Sequence, residues 1–156
     1  MYRKILVPLD GSELAECVFP HVKAIAEGCK VPDVVLVRVV EPKLMFVGGE
    51  EYVITEKQWK QMEESAKATA QKYLDKVAGS FKLSGANLST ALLMGGTVAT
   101  AVTDYAEKNG VDLIVIATHG RSGVSRWVWG SQADRILRAA CVPVLMIRAP
   151  GCLSGF

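Results

Sequence analysis

Residues Val111 to Ser131 read VDLIVIATHGRSGVSRWVWGS and join an apolar segment to a glycine-bearing loop and a helix start. The run Val111–Ile116 is rich in β-branched residues, which is typical of a strand buried on both faces of a parallel sheet. Gly130 precedes Ser131, a good N-cap residue, so unpaired amides and the positive end of a helix dipole would face one point. We therefore expect a phosphate site at Gly120, Gly130 and Ser131, with a plain helix cap as the alternative.

Apolar segments alternate with helical patterns along the rest of the chain. This alternation predicts an α/β fold of Rossmann-like type, a single domain with an open parallel five-stranded sheet and helices on both faces. We expect the domain to span residues 1–150, followed by a short tail at 151–156. The predicted strands are Lys4–Leu9, Val34–Val40, Leu88–Leu93, Asp112–Thr118 and Val144–Arg148.

Three helical patterns are clear between the predicted strands. Glu13–Glu27 carries Pro20 in its interior, where proline should kink a helix or remove a hydrogen bond. Thr55–Ala78 and Thr97–Lys108 repeat apolar residues at spacings of three and four, as amphipathic helices do. The remaining long segment, Glu41–Ile54, is too apolar for a solvated loop. It has three interpretations: a flap over a ligand, a dimer contact, or packing against the sheet.

The composition indicates a globular protein and excludes several partners. Hydrophobic residues make up 50% of the 156 residues and charged residues 22%. A net charge of +2 with scattered Lys and Arg argues against nucleic acid. No apolar run approaches the roughly 20 residues of a membrane span, and no secretory signal is evident, so we expect a cytoplasmic protein.

The four cysteines form no CxxC pair, which argues against zinc and against a disulfide framework. Cys17 and Cys141 lie in apolar sequence and are predicted to be buried thiols. Cys152 lies in the glycine-rich tail, and we assign it no function.

The spacing of the loop carries a family resemblance. Ala117, two residues, Gly120, nine residues and then Gly130-Ser131 resemble the signature of the ATP-binding universal stress proteins, which is Gly, two residues, Gly, nine residues and Gly-Ser or Gly-Thr. The chain departs from that signature at Ala117. The opening KILVPLDGS, from Lys4, and the closing CVPVLMI, from Cys141, extend the resemblance over residues 2–148.

The resemblance implies a strand order of 3-2-1-4-5 and a ligand at the point where that order reverses. Asp10 would then lie opposite Gly120 and match the family's adenine-side aspartate, with helix capping as the alternative. Val39 matches a residue that contacts adenine, and Ala117 matches a ribose contact. The resemblance further implies ATP, a Mg or Mn ion bridging its phosphates, and a homodimer joined through the last strand.

The loop supplies further candidates. Arg121 and Arg126 could meet phosphate or simply be solvated, whereas Trp127, Val128 and Trp129 are predicted to pin the loop. The full set of predicted nucleotide-binding residues is Pro8, Leu9, Asp10, Val39, Ala117, Thr118, His119, Gly120, Arg121, Gly130, Ser131 and Gln132.

No catalytic residue or metal ligand is assigned. His119 follows a predicted strand, but the chain has no GxSxG elbow, no Walker A motif and no GxGxxG fingerprint. We therefore predict an ATP-binding sensor or regulator with slow or no hydrolysis, at most a slow ATPase. The alternative is a nucleotide-free dimeric interaction module that works through its dimer surface or through residues 41–54.

Overall fold

The computed structural model describes residues 2–41, 55–118 and 131–148. In these ranges strands and helices alternate from β1 to β5, with a short 3-10 helix, Ala15–Val18, before α1. The strands are β1 Lys4–Pro8, β2 Asp33–Val40, β3 Asn87–Met94, β4 Leu113–Ala117 and β5 Val144–Ile147, and the helices are α1 Phe19–Gly28, α2 Glu56–Ser80, α3 Val98–Lys108 and α4 Ser131–Ala139.

The strands form one parallel sheet in the order β3-β2-β1-β4-β5. Leu6 of β1 pairs with Val35 of β2 on one side and with Ile114 of β4 on the other. The chain therefore builds outward from β1 to β3, then returns to the opposite side of β1 for β4 and β5. The predicted fold class and strand order are confirmed.

Alternating side chains of the sheet supply a core on each face. On one face Val7, Leu36 and Val115 pack with residues of α1 and α2, and on the other Leu6, Val37 and Ile114 pack with residues of α3 and α4. Because β1, β2 and β4 are covered on both faces, their sequences are nearly continuous apolar runs.

The predicted helix over Glu13–Glu27 is wrong in its first half. The segment begins with a turn at residues 13–14 and the 3-10 helix, and α1 starts only at Phe19. Pro20 therefore lies in the first turn of α1, where the missing N–H breaks no helical hydrogen bond. Proline helps to place this helix start and does not kink a longer helix.

The cysteines in the described ranges are free thiols. Cys17 is half-buried, and burial raises the pKa of its thiol. Cys141 is exposed, so its predicted burial is wrong: it lies in the bend just after α4 and not in the core. Cys152 and the rest of the predicted tail lie outside the described residues, as do residues 42–54.

Within the described ranges, no helix is both long enough and apolar enough to cross a membrane.

Candidate functional site

The candidate site lies at the carboxyl edge of the sheet, between β1 and β4. In an open α/β sheet, ligands bind where the strand order reverses, just beyond the carboxyl ends of the strands. Here that point is the β1–β4 boundary. Asp10 follows β1 and Thr118 follows β4, so both emerge at this edge.

Asp10 organises the turn that leaves β1. Its Oδ1 atom accepts hydrogen bonds from the backbone N–H of Ser12 at 2.9 Å and from the Ser12 hydroxyl at 2.6 Å. The Ser12 hydroxyl oxygen in turn accepts from the Ala15 N–H at 3.2 Å, at the start of the 3-10 helix. Asp10 thus has a local structural role at the edge where β1 ends.

Pro8, Leu9 and Val39 line the same edge from β1 and β2. Pro8 pairs with Val37, and the Leu9 N–H donates to the Val37 carbonyl at 2.8 Å. Pro8 and Leu9 are buried, whereas Val39 is only half-buried and lies beside the core between the sheet and α3. Val39 is thus a partly accessible apolar surface near the end of β2.

Ala117, the departure from the family signature, is accommodated without strain. It is 8% exposed, and it packs in the core shared with α1 and α2. Among the described non-glycine residues only Lys30 has a positive φ, so position 117 does not require the left-handed region that favours glycine. Thr118 follows directly, and its N–H donates to the Ile147 carbonyl at 2.8 Å.

Helix α4 begins within one residue of the predicted position: Ser131 is its first helical residue and not the residue before the helix, and the first amides of α4 lie at this end. Gln132 follows in the first turn. Its side-chain Oε1 is buried, and none of the described residues donates a hydrogen bond to it. A buried amide oxygen of this kind is costly unless a donor reaches it.

The other predicted site residues, His119, Gly120, Arg121 and Gly130, lie outside the described residues, and so does Arg126.

Sequence reasoning missed a cluster beside Asp10 that centres on Arg38 of β2. The Arg38 guanidinium carbon lies 5.2 Å from the centre of the Tyr73 ring of α2, within cation–π range. The Tyr73 hydroxyl donates to Glu16 Oε1 at 3.1 Å. The sequence signal for this cluster is Arg38 itself, the one charged residue in the otherwise apolar run VVLVRVV at residues 34–40.

The cluster raises the pKa of the Tyr73 hydroxyl well above its ordinary value. Burial is the largest cause, followed by the negative charge of Glu16 and its hydrogen bond. Asp10 acts in the same direction, whereas Arg38 lowers the pKa. Tyr73 therefore stays protonated and remains a hydrogen-bond donor, and it lies close enough to Asp10 and Arg38 to feel both charges.

Comparisons with known proteins agree with this architecture. The sequence profile of the Universal stress protein family matches residues 1–148. Universal stress protein MJ0531 of Methanocaldococcus jannaschii is 33% identical over 150 residues, which cover 96% of this chain and 84% of that protein.

Solved structures share the fold. Universal stress protein UspA from Lactobacillus plantarum superposes with a TM-score of 0.76 at 23% identity, covering 94% of this chain and 98% of its own. Two structures at lower identity contain nucleotides. A universal stress protein in complex with cAMP has a TM-score of 0.61 at 17% identity, covering 95% of this chain and 98% of its own. An Arabidopsis thaliana protein of the family with AMP bound has a TM-score of 0.59 at 11% identity, covering 96% of this chain and 93% of its own. The profile match over nearly the whole chain and the relative at 33% identity make this chain a member of the universal stress protein family.

Proposed function

We propose that this protein binds ATP at the carboxyl edge between β1 and β4, and that it acts as a nucleotide-dependent sensor or regulator with slow or no hydrolysis. The observation that carries the proposal is the convergence of two features on one edge. Asp10 follows the end of β1, at the point where the strand order reverses. The chain that follows β4 leads to α4, whose first residue is Ser131.

The described side chains fit an adenosine. The adenine amino group and the ribose hydroxyls are hydrogen-bond donors, and the Asp10 carboxylate and the buried Gln132 Oε1 are acceptors. A donor from the nucleotide would satisfy the Gln132 oxygen, which has no donor among the described residues. The half-buried Val39 side chain would contact the flat face of the base.

The phosphates would lie at the start of α4. Helix amides and the helix dipole stabilise anions there. Gly120, Gly130 and Ser131 would supply amides, and Arg121 a positive charge. Within the described ranges no three His, Cys, Asp or Glu side chains come together in a metal-binding group. In this proposal a Mg or Mn ion is bound mainly through the phosphates.

Slow turnover is proposed from the sequence, which offers neither a nucleophile elbow nor a Walker A lysine near this edge. The cAMP and AMP complexes of two family members support an adenine nucleotide as the ligand class.

A homodimer through β5 completes the proposal. β5 is an outer strand of the sheet, and three of its four residues, Val144, Leu145 and Met146, are only half-buried. An apolar edge strand needs a cover, which a second copy of β5 would supply. We place this dimer in the cytoplasm.

Titration calorimetry with ATP and with inorganic triphosphate, both with magnesium, tests the proposal. Asp10→Ala should weaken ATP about tenfold to a hundredfold, the value of a buried hydrogen bond to a charged group. Triphosphate binding should change little, because Asp10 contacts the nucleoside end. Asp104→Ala, which removes an exposed carboxylate from α3, is the matched control and should leave both affinities unchanged.

Two results would contradict the proposal. Equal losses for ATP and triphosphate in Asp10→Ala would reduce Asp10 to a turn residue. No ATP binding by the unmodified chain would favour the nucleotide-free interaction module.

A further inference from the structure

Gly11 lies against the guanidinium of Arg38. Its φ of +86° is a left-handed conformation that favours glycine. A Cβ atom built on Gly11 would lie 2.9 Å from Arg38 Cζ, 2.9 Å from Nη2 and 3.1 Å from Nη1. Because these three distances are nearly equal, the backbone of Gly11 approaches the flat face of the guanidinium. The residue that follows Asp10 therefore rests directly on Arg38.

Arg38 is itself held by α2. Its guanidinium lies over the Tyr73 ring, and Tyr73 is anchored through its hydroxyl to Glu16, 57 residues earlier in the chain. Glu16 belongs to the 3-10 helix that the Asp10–Ser12 turn begins. These contacts connect the turn at Gly11 to Arg38 of β2, Arg38 to Tyr73 of α2, and Tyr73 to Glu16 of the 3-10 helix, which follows the same turn.

We propose that Arg38 is a positioning residue for Asp10: its guanidinium lies against both Tyr73 and Gly11, and it supports the turn that orients the Asp10 carboxylate toward the ligand. The proposal rests on the proposed function, since Asp10 is the group that is positioned. Arg38 acts here through its planar face, so its shape matters as well as its charge. Lysine, which is not planar, would replace only the charge.

A double-mutant cycle with Arg38→Met and Asp10→Ala tests this role. Methionine keeps an unbranched, apolar side chain against Tyr73 and removes the planar cation. In the unmodified background Arg38→Met should weaken ATP roughly threefold to tenfold, as expected for coupled neighbours. In the Asp10→Ala background it should have almost no effect, because no carboxylate remains to be positioned. Arg38→Lys should recover only part of the affinity.

Two other roles for Arg38 predict different results in the double-mutant cycle. If Arg38 contacts the nucleotide directly, its loss weakens ATP equally in both backgrounds. If Arg38 serves only general stability, Arg38→Met lowers the unfolding midpoint and leaves the ATP affinity of the folded protein unchanged. Either result overturns the proposal.

A second measurement needs no nucleotide and separates this proposal from the proposed function. Amide exchange of Ser12 and Ala15, followed by NMR in the ligand-free protein, reports on the turn, because both amides donate within it. Arg38→Met should speed the exchange of both amides. Arg3→Met, which removes an exposed arginine at the opposite edge of the sheet, should change neither.

The two measurements can fail independently. If ATP binds but the cycle is additive and the Ser12 amide is unaffected, Arg38 does not position Asp10, and the proposed function stands. If ATP does not bind but Ser12 and Ala15 exchange faster in Arg38→Met, the proposed function fails, and the support of the turn by Arg38 remains.

Discussion

Gly11 combines two constraints at one residue, a left-handed backbone and a close neighbour. Gly11→Ala would strain the backbone and push a methyl group to 2.9 Å from the Arg38 guanidinium. A non-glycine residue in this region costs about 1–2 kcal/mol, and the Arg38 guanidinium, at the end of a flexible side chain, would also have to shift. We expect Gly11→Ala to lower the free energy of unfolding measured in urea by more than about 1 kcal/mol.

Gly85 provides the matched control. It has a similar φ of +79°, but nothing lies within 4 Å of a Cβ built there. Gly85→Ala therefore carries the backbone cost alone, and the difference between the two variants measures the contact with Arg38. Equal losses of stability would show that the guanidinium moves away from the added methyl group at little cost.

At the scale of a residue, the role of Asp10 was predicted only in part from its sequence motif. The sequence offered two roles for it, a capping role and a ligand role. The structure shows a local role, in which the Asp10 carboxylate holds the turn through its bonds to Ser12, and the ligand role stays a prediction. The sequence marks Arg38 only as a lone cation in an apolar strand, and its contacts with Tyr73 and Gly11 were not predictable, because these residues are distant in sequence and meet only in the folded protein.

At the scale of elements, helix ends were predictable where local chemistry decides them. Thr55 begins α2 with a capping box: its hydroxyl oxygen accepts from the Gln58 N–H at 3.3 Å, and Gln58 Oε1 accepts from the Thr55 N–H at 2.9 Å. The start of α1 was not predictable from periodicity, since a 3-10 turn can carry apolar residues at the same spacing of three.

The capping box supports a prediction for α2. Thr55→Ala should destabilise the protein by about 1 kcal/mol, because the Gln58 N–H of the first turn loses its acceptor. Thr69→Ala, at an exposed position inside the same helix, should have little effect or stabilise slightly. Thermal unfolding followed by circular dichroism compares the two variants. A Thr55→Ala protein as stable as the unmodified one would contradict the capping role.

At the scale of the whole molecule, the strands were predicted to within one residue at each end. Their β-branched, apolar runs reflect burial on both faces, a signal that depends little on distant partners. The order of the strands came only through the family resemblance, because alternation of strands and helices is compatible with several orders. Of the candidate site, the residues at strand ends were predictable, whereas the contacts among β1, β2 and α2 were not.

The two edges of the sheet are built differently. At the amino edge, Asp112 accepts hydrogen bonds from the Arg3 N–H at 2.7 Å and from the Lys4 N–H at 3.1 Å, so its side chain joins the starts of β1 and β4. At the carboxyl edge, β1 and β4 are followed by Asp10 and Thr118. A nucleotide site is therefore expected at one edge only.

The most direct test of the central claim is an NMR map of amide chemical shifts with and without saturating ATP and magnesium. We predict that, among the described residues, the largest changes fall at Asp10, Val39, Thr118 and the first turn of α4, with Arg3, Lys4 and Asp112 unchanged. No shifts at saturating ATP, or shifts concentrated at the amino edge of the sheet, would contradict the account.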